Sequence, residues 1–248
     1  GRLEMTTALR KSAFTIGLLG LLVLALAAPA HAGSVNKSVR IEAGQQVDEA
    51  SSVNGSVTVG EGAVVSGEVS TVNGRIQIYE NAEVQEVSTV NGELRVAGGA
   101  SSRNLSTVNG SIRVDEDVTV DGWIEAVNGR ISVDKGSTVA SHVSNVNGEI
   151  ELDGSDVGGD LSTVNGDITL DNGAVLRGDL IVEKPGGWNW GFKKRRVPEV
   201  VIGPNSRVMG TIRLEREVKL YISDTAEVGV VEGELSMSDA VRFSGARP

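Results

Sequence analysis

Cysteine is absent from this 248-residue chain, histidine occurs twice, and aromatic residues make up only 3% of it. Without a thiol there is no disulfide framework, no thiolate metal site and no lipid-modified cysteine. His31 lies in the N-terminal apolar region, which leaves His142, in Ser-His-Val-Ser, for the rest of the chain. One histidine with no cysteine near it does not assemble a metal site, and no Gly-x-Ser-x-Gly elbow points to a nucleophilic triad. His142 therefore reads as a solvated surface residue, and no cofactor is expected. The shortage of rings means a core made of Val, Ile, Leu and Ala, while 32 glycines point to many turns.

What is present begins with an export signature. Met5-Thr-Thr-Ala-Leu-Arg-Lys11 leads into an apolar run from Phe14 to Ala28, followed by Pro29-Ala-His-Ala32. A basic start, an apolar centre and a small-residue exit make residues 5–32 a secretory signal peptide, with residues 1–4 upstream of it. The apolar run is short for a membrane span. The mature chain is expected to start at Gly33, to have no transmembrane segment after cleavage, and to be exported to the periplasm or the extracellular space. Removing residues 1–32 takes away Arg2, Arg10, Lys11 and Glu4, leaving 20 basic against 32 acidic residues and a net charge of −12. That balance argues against nucleic acid as a partner.

Val-Asn-Gly then recurs seven times, at Val53, Val72, Val90, Val108, Val127, Val146 and Val164, at intervals of 18 or 19 residues. Such a period is the signature of a solenoid. With this Val as position zero, positions +4 and +6 are branched aliphatics in every copy, from Val57/Val59 and Ile76/Ile78 to Ile168/Leu170. Period two with branched residues predicts a half-buried strand. Position +10 is often small (Ala63, Ala82, Ala100, Ser137, Ala174) and position +12 often aliphatic (Val65, Val84, Val120, Val139, Leu176), marking further inward positions. Val35 extends the phase backward, Val182 extends it forward, and weaker echoes start near Leu214 and at Val231. One coil buries too little to offset the entropy of ordering it, so the coils must stack. The predicted fold is all-β: a single-stranded parallel β-helix over 33–248, of about eleven 18–19-residue coils. At roughly 4.8 Å per strand it is a rod on the order of 50 Å long. The repeat leaves its handedness open, with right-handed favoured.

The corner is expected to carry Val inward, with Gly supplying a positive φ for the bend. Asn54, Asn73, Asn91, Asn109, Asn128, Asn147 and Asn165 would fall into register as a structural amide ladder. Thr71, Thr89, Thr107 and Thr163 align at position −1. An outward threonine rank would suit ice, but Ser52, Ala126 and Asn145 interrupt it and no second rank accompanies it. The densest acids, Asp115-Glu116-Asp117 and those from Asp153 to Asp160, lie mainly where the repeat predicts turns and read as solvated.

The repeat breaks once, at Lys184-Pro-Gly-Gly-Trp-Asn-Trp-Gly-Phe-Lys-Lys-Arg-Arg-Val-Pro198. This insertion concentrates Trp188, Trp190, Phe192, Lys193, Lys194, Arg195 and Arg196 on an acidic, ring-poor rod. Basic and aromatic residues together suit an anionic envelope surface, a glycan or a protein partner. The bland alternative is a loop whose rings fold back on the solenoid.

Repeats such as Val164-Asn-Gly-Asp-Ile-Thr-Leu170 and the segment Val201-Ile-Gly-Pro-Asn-Ser-Arg-Val-Met-Gly-Thr-Ile212 resemble bactofilins. The resemblance implies a compact triangular β-helix that self-associates through its end coils without nucleotide. A cleavable signal departs from a cytoskeletal role, and Val-Asn-Gly-Ser-Ile and Val-Asn-Gly-Glu-Leu equally resemble exported, adhesin-like solenoids. Val59-Gly-Glu-Gly-Ala-Val64 also fits the hexapeptide pattern of acyltransferases, although 19-residue coils break strict hexad phase. The expected function is a non-enzymatic structural or surface-binding element of the bacterial cell envelope. The alternatives are a polysaccharide-acting β-helix enzyme and a hexapeptide-type acyltransferase relative.

Overall fold

A computed structural model describes residues 33–185 and 196–248. The proposed signal peptide and residues 186–195 lie outside the described residues. The fold is an all-β parallel solenoid of about ten turns, built on three strand-bearing faces. The first face is an 11-stranded sheet running from Val39–Ile41 through Ile76–Ile78, Ile131–Val133 and Glu199–Ile202 to Val241–Phe243. The other two faces merge into a 19-stranded sheet, because Val64–Asn73 and Glu83–Asn91 run through the angle between them. Every pairing is parallel and joins a strand to its counterpart one coil on, as Ile76, Gln77 and Ile78 pair with Leu94, Arg95 and Val96.

Alternation decides which side chains face in. Val57, Val59, Ile76, Ile78, Leu94, Val96, Ile112 and Val114 are fully buried, and the residues between them face out. The small residues at +10 and the aliphatics at +12 are also buried. A further inward row at position −3 (Val69, Val87, Leu105, Ile124, Val143, Leu161) supplies the third wall of the core. That row was not separated from its surroundings in the sequence, because the polar residues that follow it mask its period.

The corner works differently from the expectation. Position −1 faces inward: Ser52, Thr71, Thr89, Thr107, Ala126, Asn145 and Thr163 are all buried. The valine at zero sits at the surface, with Val53 41% exposed and the others half-buried. No outward threonine rank exists there. The hydroxyls serve the core side of the corner, as Thr71 Oγ1 donates to the Gly55 carbonyl at 2.8 Å and Thr89 Oγ1 to the Gly74 carbonyl at 3.3 Å.

Glycine is required here by contact, not by φ. Among the seven corner glycines only Gly129 has positive φ, at 146°. A Cβ on Gly74, Gly92, Gly110, Gly148 or Gly166 would collide with the carbonyl oxygen of the corner glycine one coil before it. The left-handed turns lie between the first and second faces, at Gly62, Asn81, Gly99, Asp117 and Gly136, with φ between 56° and 77°. Glycine, asparagine and aspartate are the residues that adopt this region readily.

The degenerate coils also shift. Val182 pairs with Thr163, so it holds position −1 and Lys184 falls in the asparagine column. Leu214 pairs with Val182, again at −1. Val231 pairs with Ile212 in the −3 row, so its likeness to Val90 is out of register. Where the likeness to Val90 would place a first-face strand, Met237–Asp239 forms a 3-10 turn, with Leu235, Met237 and Ala240 packed against the end of the core, and the first-face strand follows at Val241–Phe243.

Candidate docking site at the insertion

On the Asn–Gly edge, asparagine side chains bond one another from coil to coil. Each Nδ2 donates to the Oδ1 one coil before it: Asn54 to Asn36, Asn73 to Asn54, Asn91 to Asn73 and Asn109 to Asn91, at 2.9–3.0 Å. Asn128 to Asn109, Asn147 to Asn128 and Asn165 to Asn147 continue the row at 2.8–3.0 Å. The in-register stack places identical amides within reach of one another along the edge.

Beyond Asn165 the insertion opens this edge. In the regular coil four residues, 164–167, join Thr163 to Ile168; between their register partners Val182 and Val200 there are seventeen, 183–199. Both ends of the insertion are tied down. The Lys184 amide donates to Glu215 Oε2 at 3.2 Å, and the Glu199 amide donates to Asp167 Oδ1 at 2.9 Å. The Arg196 guanidinium pairs with the same Asp167 carboxylate.

Arg216 closes the gap. Two residues after Leu214, it occupies the asparagine column two coils beyond Asn165. Its Nη1 donates to the Val164 carbonyl at 2.9 Å and to Asn165 Oδ1 at 2.8 Å, and its Nη2 donates to the Arg196 carbonyl at 3.1 Å. Two strand spacings are roughly 9.6 Å, which an asparagine cannot span and an arginine can. The signal for Arg216 was present in the sequence, but only the correct register of Leu214 exposes it.

Trp188, Trp190, Phe192, Lys193, Lys194 and Arg195 lie outside the described residues; Arg196 is the one member of that group whose contacts are seen. Next to its root is a shallow groove of about 320 Å³ on the outer side of the first face. Carboxylates dominate its walls (Glu149, Glu151, Asp167, Asp171, Glu199), and Ala246, Arg247 and Pro248 line it as well. Arg130 bridges Glu149 at 2.5 Å and Glu151 at 3.3 Å, so part of the acidity is already paired.

No family model, curated protein or solved structure matches the chain.

Three of the densest acids are tied to neighbouring side chains. Asp115 pairs with Arg95 at 2.8 Å, which raises the arginine's pKa through a hydrogen bond and charge. Asp156 holds Arg177, and Asp153 accepts from Asn172 Nδ2 at 2.6 Å. His142 is not freely solvated: it stacks on Trp123, with centroids 6.2 Å apart, and its Nε2 lies 2.9 Å from Glu125 Oε1. Ser141 Oγ sits 3.3 Å from its Nδ1. This pair sits on the outer side of the third face, a position only the coil register reveals. Among the described residues no group of three or more potential ligands could hold a metal ion.

Proposed function

We propose that this protein is a non-enzymatic, exported structural rod of the bacterial cell envelope that docks through its insertion onto an anionic envelope surface. The observation that carries this reading is the clamp of Asp167, Glu215 and Arg216 on both ends of the insertion. It keeps the coils before and after in register, so the rod serves as a rigid mount for the basic and aromatic segment. The segment itself supplies the chemistry: tryptophan and phenylalanine for an interfacial or sugar surface, and four consecutive cations for anionic groups. Export follows from the leader-like residues 5–32, and kinship to bactofilin-like or adhesin-like solenoids belongs to the same proposal.

The test is co-sedimentation of the chain with envelope fractions and with anionic vesicles, using a variant in which Trp188, Trp190 and Lys193 to Arg196 are serine. Binding by the parent and its loss in the variant are expected; equal binding by both removes the docking role. Degradation of polysaccharide or acyl transfer by the parent would replace the proposal with an enzymatic one.

A second reading, self-association through the end coils, is favoured by the terminal strands of the first face. Among the described residues Val39–Ile41 and Val241–Phe243 each pair with a single neighbour, leaving one edge open at each end of a parallel stack. Sedimentation at rising concentration checks it, and a lone monomer throughout counts against it.

A further inference from the structure

We propose that the Asn–Gly edge is a site of spontaneous covalent modification, with Asn128 and Asn147 as its weak points. Asparagine followed by glycine deamidates when the glycine nitrogen attacks the asparagine Cγ. The N–Cγ bond forms, the Cγ–Nδ2 bond breaks, and ammonia leaves with the proton lost from the glycine amide. Water then opens the resulting succinimide to aspartate or isoaspartate, with no oxidant or reductant involved. The chain carries seven such pairs, all with exposed asparagines, so what differs among them is how firmly the fold holds the attacking nitrogen.

In the early corners that nitrogen is engaged. The Gly74 amide donates to the Asn91 carbonyl at 3.1 Å, Gly92 to the Asn109 carbonyl at 3.1 Å and Gly110 to the Asn128 carbonyl at 2.9 Å. At the last corner the Gly166 amide donates to Thr163 Oγ1 at 2.9 Å. Among the described residues the Gly129 and Gly148 amides make no such bond, and neither does Gly55 beside the N-terminal edge.

We assign this difference to the row behind the corner. At Asn128 and Asn147 the usual threonine is replaced by Ala126, which has no hydroxyl, and by Asn145, whose Nδ2 takes the Gly129 carbonyl at 2.6 Å. Gly129 alone among the corner glycines has turned to positive φ, and the neighbouring Thr107 Oγ1 is buried without a partner. The two free glycine nitrogens thus sit, beside two exposed amides, at the two corners where the threonine row is broken. Conversion of Asn128 also removes the donor that Asn109 Oδ1 receives, and isoaspartate adds a backbone atom at the tightest point of the stack.

The experiment incubates the full chain, folded, at mildly alkaline pH in heavy-oxygen water and maps label uptake peptide by peptide. Label is expected first at Asn128 and Asn147, with Asn54 alongside. Asn73, Asn91 and Asn109 should be several-fold slower, and all seven should level out when the chain is unfolded in urea. Equal rates in the folded protein, or a lead by Asn73, Asn91 or Asn109, would overturn the proposal. The paired substitutions Ala126→Thr and Asn145→Thr should slow Asn128 and Asn147 to the rate of their neighbours; unchanged rates there would overturn the cause assigned to the corner.

Discussion

Up to Asn165 the Asn–Gly edge is bridged one coil at a time by short amides, whereas beyond Val182 a single arginine reaches across two coils. The first region obtains its order from repetition: identical residues at identical heights need only local contacts. The second has lost the repeat and keeps its register through side chains drawn from three coils. A solenoid can thus absorb an insertion at a corner if the residues beside it replace the missing rung, and Arg216 with Asp167 is that replacement.

The largest expected effect tests the regular side. Gly92→Ala puts a Cβ against the Gly74 carbonyl, with backbone on both sides and no flexible atom to yield. Such overpacking is expected to cost roughly 3 kcal/mol or more. Gly62→Ala meets open space and suffers only from its φ of 63°, so it should cost about 1–2 kcal/mol. Urea unfolding of the two variants measures the difference, and a reversed order would mean that the stack yields to an added Cβ and contact does not select glycine at the corner.

On the irregular side, Arg216→Met leaves the Val164 carbonyl, Asn165 Oδ1 and the Arg196 carbonyl without that donor. Hydrogen bonds from a charged group are worth about 1.5–3 kcal/mol each when shielded, and the partial exposure here brings the expected total to about 2 kcal/mol. Amide exchange should rise at 164–167 and 196–199 while the early coils stay protected. Asn91→Ala, which removes one exposed rung, should cost no more than about 1 kcal/mol. If the two variants were equally destabilised, the arginine would be just another rung.

The two regions were not equally legible in the sequence. Coil length, the first-face strands and the inward rows at +10 and +12 follow from a period that branched aliphatics mark without ambiguity. The corner was misread because Val, Asn and Gly draw the eye, while the residue that turns inward is the threonine before them. A hydroxyl whose partner is a carbonyl one coil away has no local signature. The insertion's place was visible as the loss of Asn-Gly, but its anchoring was not. Arg216 is 51 residues from Asn165, and Asp167 reaches Arg196 across 29 residues, so both depend on a register that a one-residue slip at Val182 conceals. Trp123 and His142 were hidden for the same reason, being 19 residues apart and adjacent only in the stack.

Within the threonine row a finer comparison is available. Thr71 Oγ1 has a carbonyl partner at 2.8 Å, whereas Thr107 Oγ1 is buried with none. Thr71→Val should cost about 1 kcal/mol, because it strips the part-buried Gly55 carbonyl of that donor. Thr107→Val should be neutral or slightly stabilising, because it removes an unpaired hydroxyl. Thermal unfolding of the pair decides whether the hydroxyls hold the corners together or merely fill them.

The smallest effect sets a regular coil against the last one through pH. Burial, followed by the charge of Asp115, raises the Asp134 carboxyl above its ordinary pKa, with Arg113 opposing. The folded state therefore holds that proton more tightly than the unfolded chain does. Its contribution to stability is full below the unfolded pKa and is lost as pH rises through the folded one. Asp239 in the terminal 3-10 turn is lowered by hydrogen bonds from the Ser236 side chain and backbone, so its contribution is present above the unfolded pKa and is lost as pH falls through the folded one. Asp134→Asn should raise stability at neutral pH and leave it unchanged at low pH, where the parent carboxyl is already neutral. Asp239→Asn should do the reverse, lowering stability at neutral pH and leaving acid stability untouched. Unfolding followed across acid pH for both variants separates the two signs. A shared sign would mean that the acid columns on the regular face are no more strained than the capped turn at the rod's end.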